Sequence, residues 1–167
     1  MASYDIGKEN VVRWVREHIP EGSTCLDVGA CDGKWHDLLG DWLRMDAVEI
    51  WEPNAQMCKI KYDRVFITDV ADLKYYHYDF VIFGDVLEHM TIEKAQKVLA
   101  YADTHSDDYI VSLPFNYAQG AVHGNPYEIH IQDDLNERVI AERYPQLELV
   151  YQASTDYAYY HRRKDDR

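Results

Sequence analysis

Short β-favouring apolar runs alternate with segments of helical period along almost the whole chain, and this restricts the fold to an α/β domain on a largely parallel sheet. Strands are predicted at residues 24–28, 46–50, 64–68, 79–83 and 109–113, with a hairpin-like closing pair at 147–152 and 157–162. The run at 79–83 is nearly continuously apolar, as suits a central strand buried on both faces. A first helix is predicted over 7–18, where Val11, Val15 and Ile19 share one side before Pro20 and Gly22 stop it. A second carries Trp35, Leu38, Leu39, Trp42 and Leu43 at the i, i+3, i+4, i+7, i+8 spacing of a helix laid on a sheet. A third opens at Pro53, a fourth is capped by Thr91 and aligns Ala95, Val98, Leu99 and Ala102, and a fifth covers 134–144. Seven strands and five helices within 167 residues make one domain with its core over about residues 7–160. Only the stretch 115–133 follows neither period; it reads as a long loop, and long loops in compact domains are usually functional.

Charge narrows the partners. The formal net charge of −13 repels nucleic-acid phosphates, and the one basic cluster is Arg162-Arg163-Lys164, so non-specific nucleic-acid binding is not expected. No apolar run approaches the ~20 residues of a membrane span, and the start of the chain lacks a basic, then apolar, leader. A cytoplasmic location is expected, as monomer or homodimer. Cys25, Cys31 and Cys58 form an odd set without a C-x-x-C pair, which argues against a disulfide framework or a cysteine zinc site.

In an open α/β sheet the ligand lies beyond the carboxyl ends of the strands. The residues there are acidic: Asp27 and Asp32 around strand one, Glu49 after strand two, Asp69 after strand three and Asp85 after strand four. A phosphate would meet carboxylates at this rim, whereas a ligand with cationic groups and free hydroxyls is favoured. S-adenosylmethionine is such a ligand, carrying a sulfonium, an ammonium and ribose hydroxyls and no phosphate. Gly29 and Gly33 permit a tight strand-to-helix turn. Glu49 stands 22 positions after Asp27, near the ~20-residue interval at which a carboxylate on the second strand meets a ribose.

The successive segments Leu26-Asp27-Val28-Gly29-Ala30-Cys31-Asp32-Gly33, Val48-Glu49-Ile50, Ile67-Thr68-Asp69-Val70 and Phe83-Gly84-Asp85-Val86-Leu87-Glu88-His89 resemble, in order and interval, the signatures of class I S-adenosylmethionine-dependent methyltransferases. The resemblance implies a Rossmann-like three-layer α/β sandwich whose seven-stranded, mostly parallel sheet has an antiparallel last strand. It implies S-adenosylmethionine as cofactor, with Asp27 and the turn through Gly29, Ala30, Cys31 and Gly33 holding the methionine part. Glu49 takes the ribose hydroxyls, with Ile50 beside it also at the cofactor; Asp69 and Val70 lie by the adenine, and Gly84 with Asp85 closes the methionine end. Cys31 departs from the family, which often has a third glycine there; a small side chain fits if its φ is negative.

Methyl transfer from a sulfonium is an in-line displacement for which positioning and desolvation supply much of the acceleration. A hydroxyl or ammonium acceptor also needs a base, for which His89, His123, His130 and Tyr127 are candidates; only His89 lies in a motif. The acceptor pocket is expected from residues 1–8 and the loop 115–130, with Tyr117, His123, Tyr127 and His130 as substrate contacts. A small-molecule acceptor is expected, a basic protein being the alternative. His123, Glu128 and His130 match no helical ligand spacing, and no metal is expected. Asn125-Pro126-Tyr127 resembles the Asn-Pro-Pro-Tyr signature of amino-methylating DNA enzymes but follows the fifth strand rather than the fourth.

Two other classes share such a sheet. A nicotinamide-dependent oxidoreductase wants Gly-x-Gly-x-x-Gly facing a pyrophosphate, where this chain places Cys31 and the anionic Asp32. A regulatory protein that binds S-adenosylmethionine without catalysis fits the same residues, since fold does not set function.

Overall fold

The computed structural model describes residues 5–74 and 76–162. Among these the chain forms, in order, α1 (Lys8–His18), β1 (Thr24–Val28), α2 (Lys34–Leu39), β2 (Arg44–Val48), α3 (Glu52–Cys58), β3 (Val65–Phe66), β4 (Tyr78–Gly84), α4 (Ile92–His105), β5 (Ser106–Pro114), α5 (Glu137–Arg143), β6 (Leu147–Ser154) and β7 (Tyr157–Arg162). The tight 3-10 turns Leu87–His89 and Pro126–Glu128 lie between them. The sheet order is β3-β2-β1-β4-β5-β7-β6. β7 runs antiparallel to both its neighbours, while the β1–β2, β1–β4, β2–β3 and β4–β5 pairs are parallel. This is the three-layer sandwich, antiparallel last strand included, that the sequence predicts.

Side chains alternate across the pleat and so sort into two cores. Phe80 and Ile82 of β4 join Cys25, Met45 and Ile110 against Val11 and Val15 of α1, Trp35 and Leu39 of α2, and Cys58 of α3. Val81 and Phe83, one residue out of phase, join Leu26, Val28, Tyr109 and Val111 against α4 and α5, where Val98, Leu99, Val139 and Ile140 are buried. Among the described residues no helix is long and apolar enough to cross a membrane.

Boundaries differ from the predicted ones where a local competitor takes over. α2 ends at Leu39 because Gly40 caps it, so Trp42 and Leu43 lie in a turn, the indole of Trp42 donating to the Ile19 carbonyl at 2.9 Å. β2 starts and ends two residues early, which sets Glu49 and Ile50 beyond its carboxyl end. β3 shrinks to two residues. α5 begins after Asn136, whose side chain accepts from the Val139 amide at 3.1 Å, while Asp134 is drawn into a bidentate pair with Arg143. β5 starts at Ser106 because Tyr78 pairs there, ahead of the apolar run. Residues 1–4 of the expected acceptor pocket and the basic pair Arg163-Lys164 lie outside the described residues.

Candidate functional site

The strand order reverses between β1 and β4, where Val28 lies beside Phe83, and such a switch point opens a crevice at the carboxyl edge. The loop after β1 (29–33) and the turn after β4 (85–90) meet there. Gly29 takes φ 67, and a Cβ on it would stand 2.7 Å from Val86 Cγ2. On Gly84 a Cβ would stand 2.3 Å from the indole nitrogen of Trp35. Both glycines are therefore required by the approach of the neighbouring element.

Cys31 does not take the negative φ expected for a side chain in this loop; its φ is 52. The left-handed conformation costs a non-glycine residue roughly 1–2 kcal/mol, and three contacts hold it there. The Cys31 amide donates to Glu49 Oε2 at 2.9 Å, its sulfur accepts from Asn54 Nδ2 at 3.4 Å, and its carbonyl accepts from the Cys58 thiol at 3.2 Å. Burial, with Asp32 adding to it, raises the Cys31 thiol to about 11.

Glu49 is the hinge of the site. Its second oxygen accepts from the Trp51 amide at 2.8 Å, so the carboxylate ties the β1 loop to the start of α3. Burial raises its pKa and the two amides oppose that rise. Each oxygen keeps a second lone pair, which leaves the group able to accept from two further hydroxyls.

Two adjoining cavities occupy the crevice. Glu49, Ile50, Asp69, Val70, Met90, Lys94, Asn125 and Tyr127 line one. Ala30, Cys31, Asp32, Trp35, Gly84, Glu88, Tyr117, Gln119 and His130 line the other. Gly29, Asp85, His89 and Glu128 belong to both and form the wall between them.

The structure thus brings most of the predicted site residues together, with three exceptions. Asp27 lies beneath the loop, 1% exposed, lining neither cavity; its Oδ2 accepts the Tyr62 hydroxyl at 2.5 Å and its Oδ1 has no partner. Burial pushes its pKa up to about 7, against the opposing pull of Tyr62 and Lys8. Gly33 caps α2 with φ 82 and also lines neither cavity. His123 sits exposed at the tip of the 115–133 loop, away from both.

Cations reach the acidic rim from elements that chain order does not place there. Lys94 of α4 pairs with Asp69, whose other oxygen accepts from the Ala71 amide at 2.9 Å. Lys8 of α1 is buried with its ammonium 4.1 Å from the centre of the Trp35 ring; burial lowers its pKa and Asp85 opposes that. Asp85, at φ 56, receives hydrogen bonds from Tyr157 and, at 3.3 Å, from Ser112, and its Oδ2 is buried without a partner. Burial raises its pKa. Glu88, quoted in the sequence motif without a role, is fully buried, and neither of its oxygens finds a donor. Burial, then the Asp85 charge, drive its pKa well above the usual carboxylate range. Burial lowers His89 to about 4, so its ring is neutral near neutral pH.

Sheet order, antiparallel last strand and crevice together make this the class I, Rossmann-like fold of S-adenosylmethionine-dependent methyltransferases. No protein-family model and no curated protein sequence matches the chain. Among solved structures, the chain is similar to 1,6-didemethyltoxoflavin-N1-methyltransferase of Burkholderia thailandensis, bound to 1,6-didemethyltoxoflavin and S-adenosylhomocysteine (TM-score 0.71, 20% identity, 97% of this chain and 80% of that one). It is similar to a S-adenosylmethionine-dependent methyltransferase of Clostridium acetobutylicum (TM-score 0.72, 11% identity, 95% and 91%). Magnesium protoporphyrin IX methyltransferase of Synechocystis, with bound S-adenosylmethionine, aligns at TM-score 0.65 and 18% identity over 92% of this chain and 76% of that one. At these identities the likeness establishes the fold.

Proposed function

We propose that the protein is an S-adenosylmethionine-dependent methyltransferase acting on a small-molecule acceptor. The observation that carries this is Glu49, held by two main-chain amides at the mouth of a cavity whose walls include Ile50, Val70 and Met90. The residues fit the cofactor. Glu49 has free lone pairs for a pair of ribose hydroxyls, the apolar walls suit an adenine, and the unpartnered Asp85 Oδ2 suits an ammonium. The adjoining cavity, with Trp35, Tyr117, Gln119 and His130, is assigned to the acceptor. Two of the structural neighbours, a 1,6-didemethyltoxoflavin-N1-methyltransferase and a magnesium protoporphyrin IX methyltransferase, are named for small-molecule acceptors, which supports a small-molecule acceptor here.

S-adenosylmethionine supplies an activated methyl group on a sulfonium. The chain's own part is to bind, orient and exclude water. The 115–133 loop closes over the turn after β4, with the Ile131 and Gln132 amides donating to the Glu88 carbonyl at 2.8 and 3.0 Å, and so shields the wall between the cavities. His89, neutral and on that wall, is placed to take a proton from an acceptor that must lose one. Three free cysteines suit a reducing compartment, and we assign the protein to the cytoplasm on that ground.

Calorimetric titration with S-adenosylmethionine and S-adenosylhomocysteine, with NADH as control, tests this. Micromolar binding of the first two and none of NADH is expected, followed by transfer of labelled methyl to one member of a small-molecule acceptor panel. Binding of NADH alone would make the protein a nicotinamide enzyme; cofactor binding without turnover on any acceptor would make it a regulatory binder.

A further inference from the structure

The cavity assigned to the acceptor holds, against its wall with the other, a constellation that methyl transfer does not require. Glu88 and His89 lie on the turn after β4, and His130 comes from the 115–133 loop. One ring nitrogen of each histidine and one Glu88 oxygen lie within 4.8 Å of one another. The two rings stand 4.8 Å apart at 68°.

The histidines are held in one tautomer. His89 Nδ1 bonds the Ile129 carbonyl at 3.2 Å, and His130 Nδ1 bonds the Tyr117 carbonyl at 2.6 Å. A carbonyl only accepts, so each Nδ1 carries the proton and each neutral ring keeps its Nε2 lone pair for another partner. A carbonyl on the far nitrogen is how proteins orient histidines that ligate metals. Glu88 supplies the independent sign: it is fully buried, lines the acceptor cavity, and has no donor on either oxygen. A buried carboxyl without a partner is costly, and a cation at this point removes the deficit. The segment is also braced, because Gln132 Nε2 donates to the Leu87 and Met90 carbonyls on either side of Glu88 and His89.

We propose that Glu88, His89 and His130 bind a divalent transition-metal ion; with the ion bound, the His89 lone pair is a ligand, and the ring acts as a base only in the metal-free protein. Two imidazoles and one carboxylate suit zinc, manganese or iron rather than magnesium or calcium, and three protein ligands leave coordination positions open. Ligand atoms on one such ion stand roughly 3.4 Å apart, so the three close by at most about 1.5 Å on binding. The open positions face the cavity assigned to the acceptor, so the ion takes an acceptor through its oxygen atoms; this last step rests on the methyltransferase reading, the metal site itself does not. A second group, His77, Asp79 and Asp107, is also close-set, but it is occupied already. Asp79 accepts from the Thr24 amide and hydroxyl, and Asp107 pairs with His77 at 3.2 Å.

Titration of the full, chelator-treated chain with cobalt(II), followed by visible absorption, tests the site without any cosubstrate, so its failure leaves the methyltransferase reading intact. One ion per chain with micromolar affinity is expected, displaced by zinc(II). His130→Ala and Glu88→Gln weaken binding by about tenfold or more, the scale on which even the outer partners of metal ligands act. His77→Ala leaves it unchanged. Absence of a spectral change up to millimolar cobalt overturns the proposal, as does binding that survives His130→Ala or disappears in His77→Ala. If Glu88→Gln fails to fold by circular dichroism, His130→Ala, on the loop, still decides.

Discussion

Glu49 accepts the amide hydrogen of Cys31 at 2.9 Å, and this one bond sets the geometry of the loop that follows β1. With the second bond from Trp51, the carboxylate fixes both the loop and its own orientation toward the cavity. Glu49→Ala should therefore weaken S-adenosylmethionine binding by about tenfold or more and destabilise the fold by about 1.5–3 kcal/mol, the range for hydrogen bonds to a charged group. Glu49→Gln should fare little better, because its NH₂ faces one of two amide donors. Calorimetry with the cofactor, beside urea unfolding, checks both; full affinity in Glu49→Ala would remove Glu49 from the site.

Cys31 occupies a left-handed position with a side chain that gains only a weak sulfur contact. Cys31→Gly relieves roughly 1–2 kcal/mol of backbone strain and forfeits about 0.4–1 kcal/mol through the freer unfolded chain, so stability should hold or rise slightly. Cys31→Val adds a β-branched side chain at positive φ and should destabilise by more than about 1 kcal/mol. Paired melting curves decide; a fall with Gly would mean that the thiol contacts outweigh the strain.

Asp27 is buried with a pKa near 7, above the ~3.9 of an unfolded aspartate. For an acid whose folded pKa is raised, the stabilisation is fully present below the unfolded value and is lost as pH climbs through the folded one. Asp27→Asn, which stays neutral, should gain stability relative to the parent protein between about pH 4 and about pH 7. Urea midpoints of the two proteins across that range should diverge; a constant gap would mean that Asp27 does not titrate there.

Gln132 satisfies four groups from a buried position: it donates to the Leu87 and Met90 carbonyls and accepts from Tyr144 at 2.8 Å and Arg143 at 3.1 Å. Gln132→Leu keeps the bulk and removes all four bonds; Arg143 keeps Asp134 and the Leu87 carbonyl keeps the Met90 amide, but the buried Tyr144 hydroxyl loses its acceptor, so a loss of at least about 2 kcal/mol is expected. Because the same bonds brace the turn that carries His89, ligand affinity should fall with it. Thermal melts and cofactor titration of the variant check the two effects separately.

Much of this molecule is legible along the chain. The period-two and period-3.6 patterns are local, each residue's burial being set by its own element, so the strand and helix count and the parallel sheet with its hairpin finish follow from neighbours in sequence. The approach of Asp27, Gly29 and Glu49 follows too, because adjacent parallel strands of known length bring positions about twenty residues apart to one edge. What chain order does not carry is the meeting of distant loops. His130 reaches Glu88 and His89 only because main-chain bonds fold the irregular 115–133 stretch over the turn after β4, and no spacing rule describes a bond between two such segments. Lys94 on Asp69 and Lys8 beneath Trp35 arrive from helices that cross the sheet edge, which is why the rim reads as uniformly acidic until the helices are packed. The left-handed turn of Cys31 has the same origin: Glu49, Asn54 and Cys58, from three later positions, hold a backbone angle that cysteine alone does not prefer.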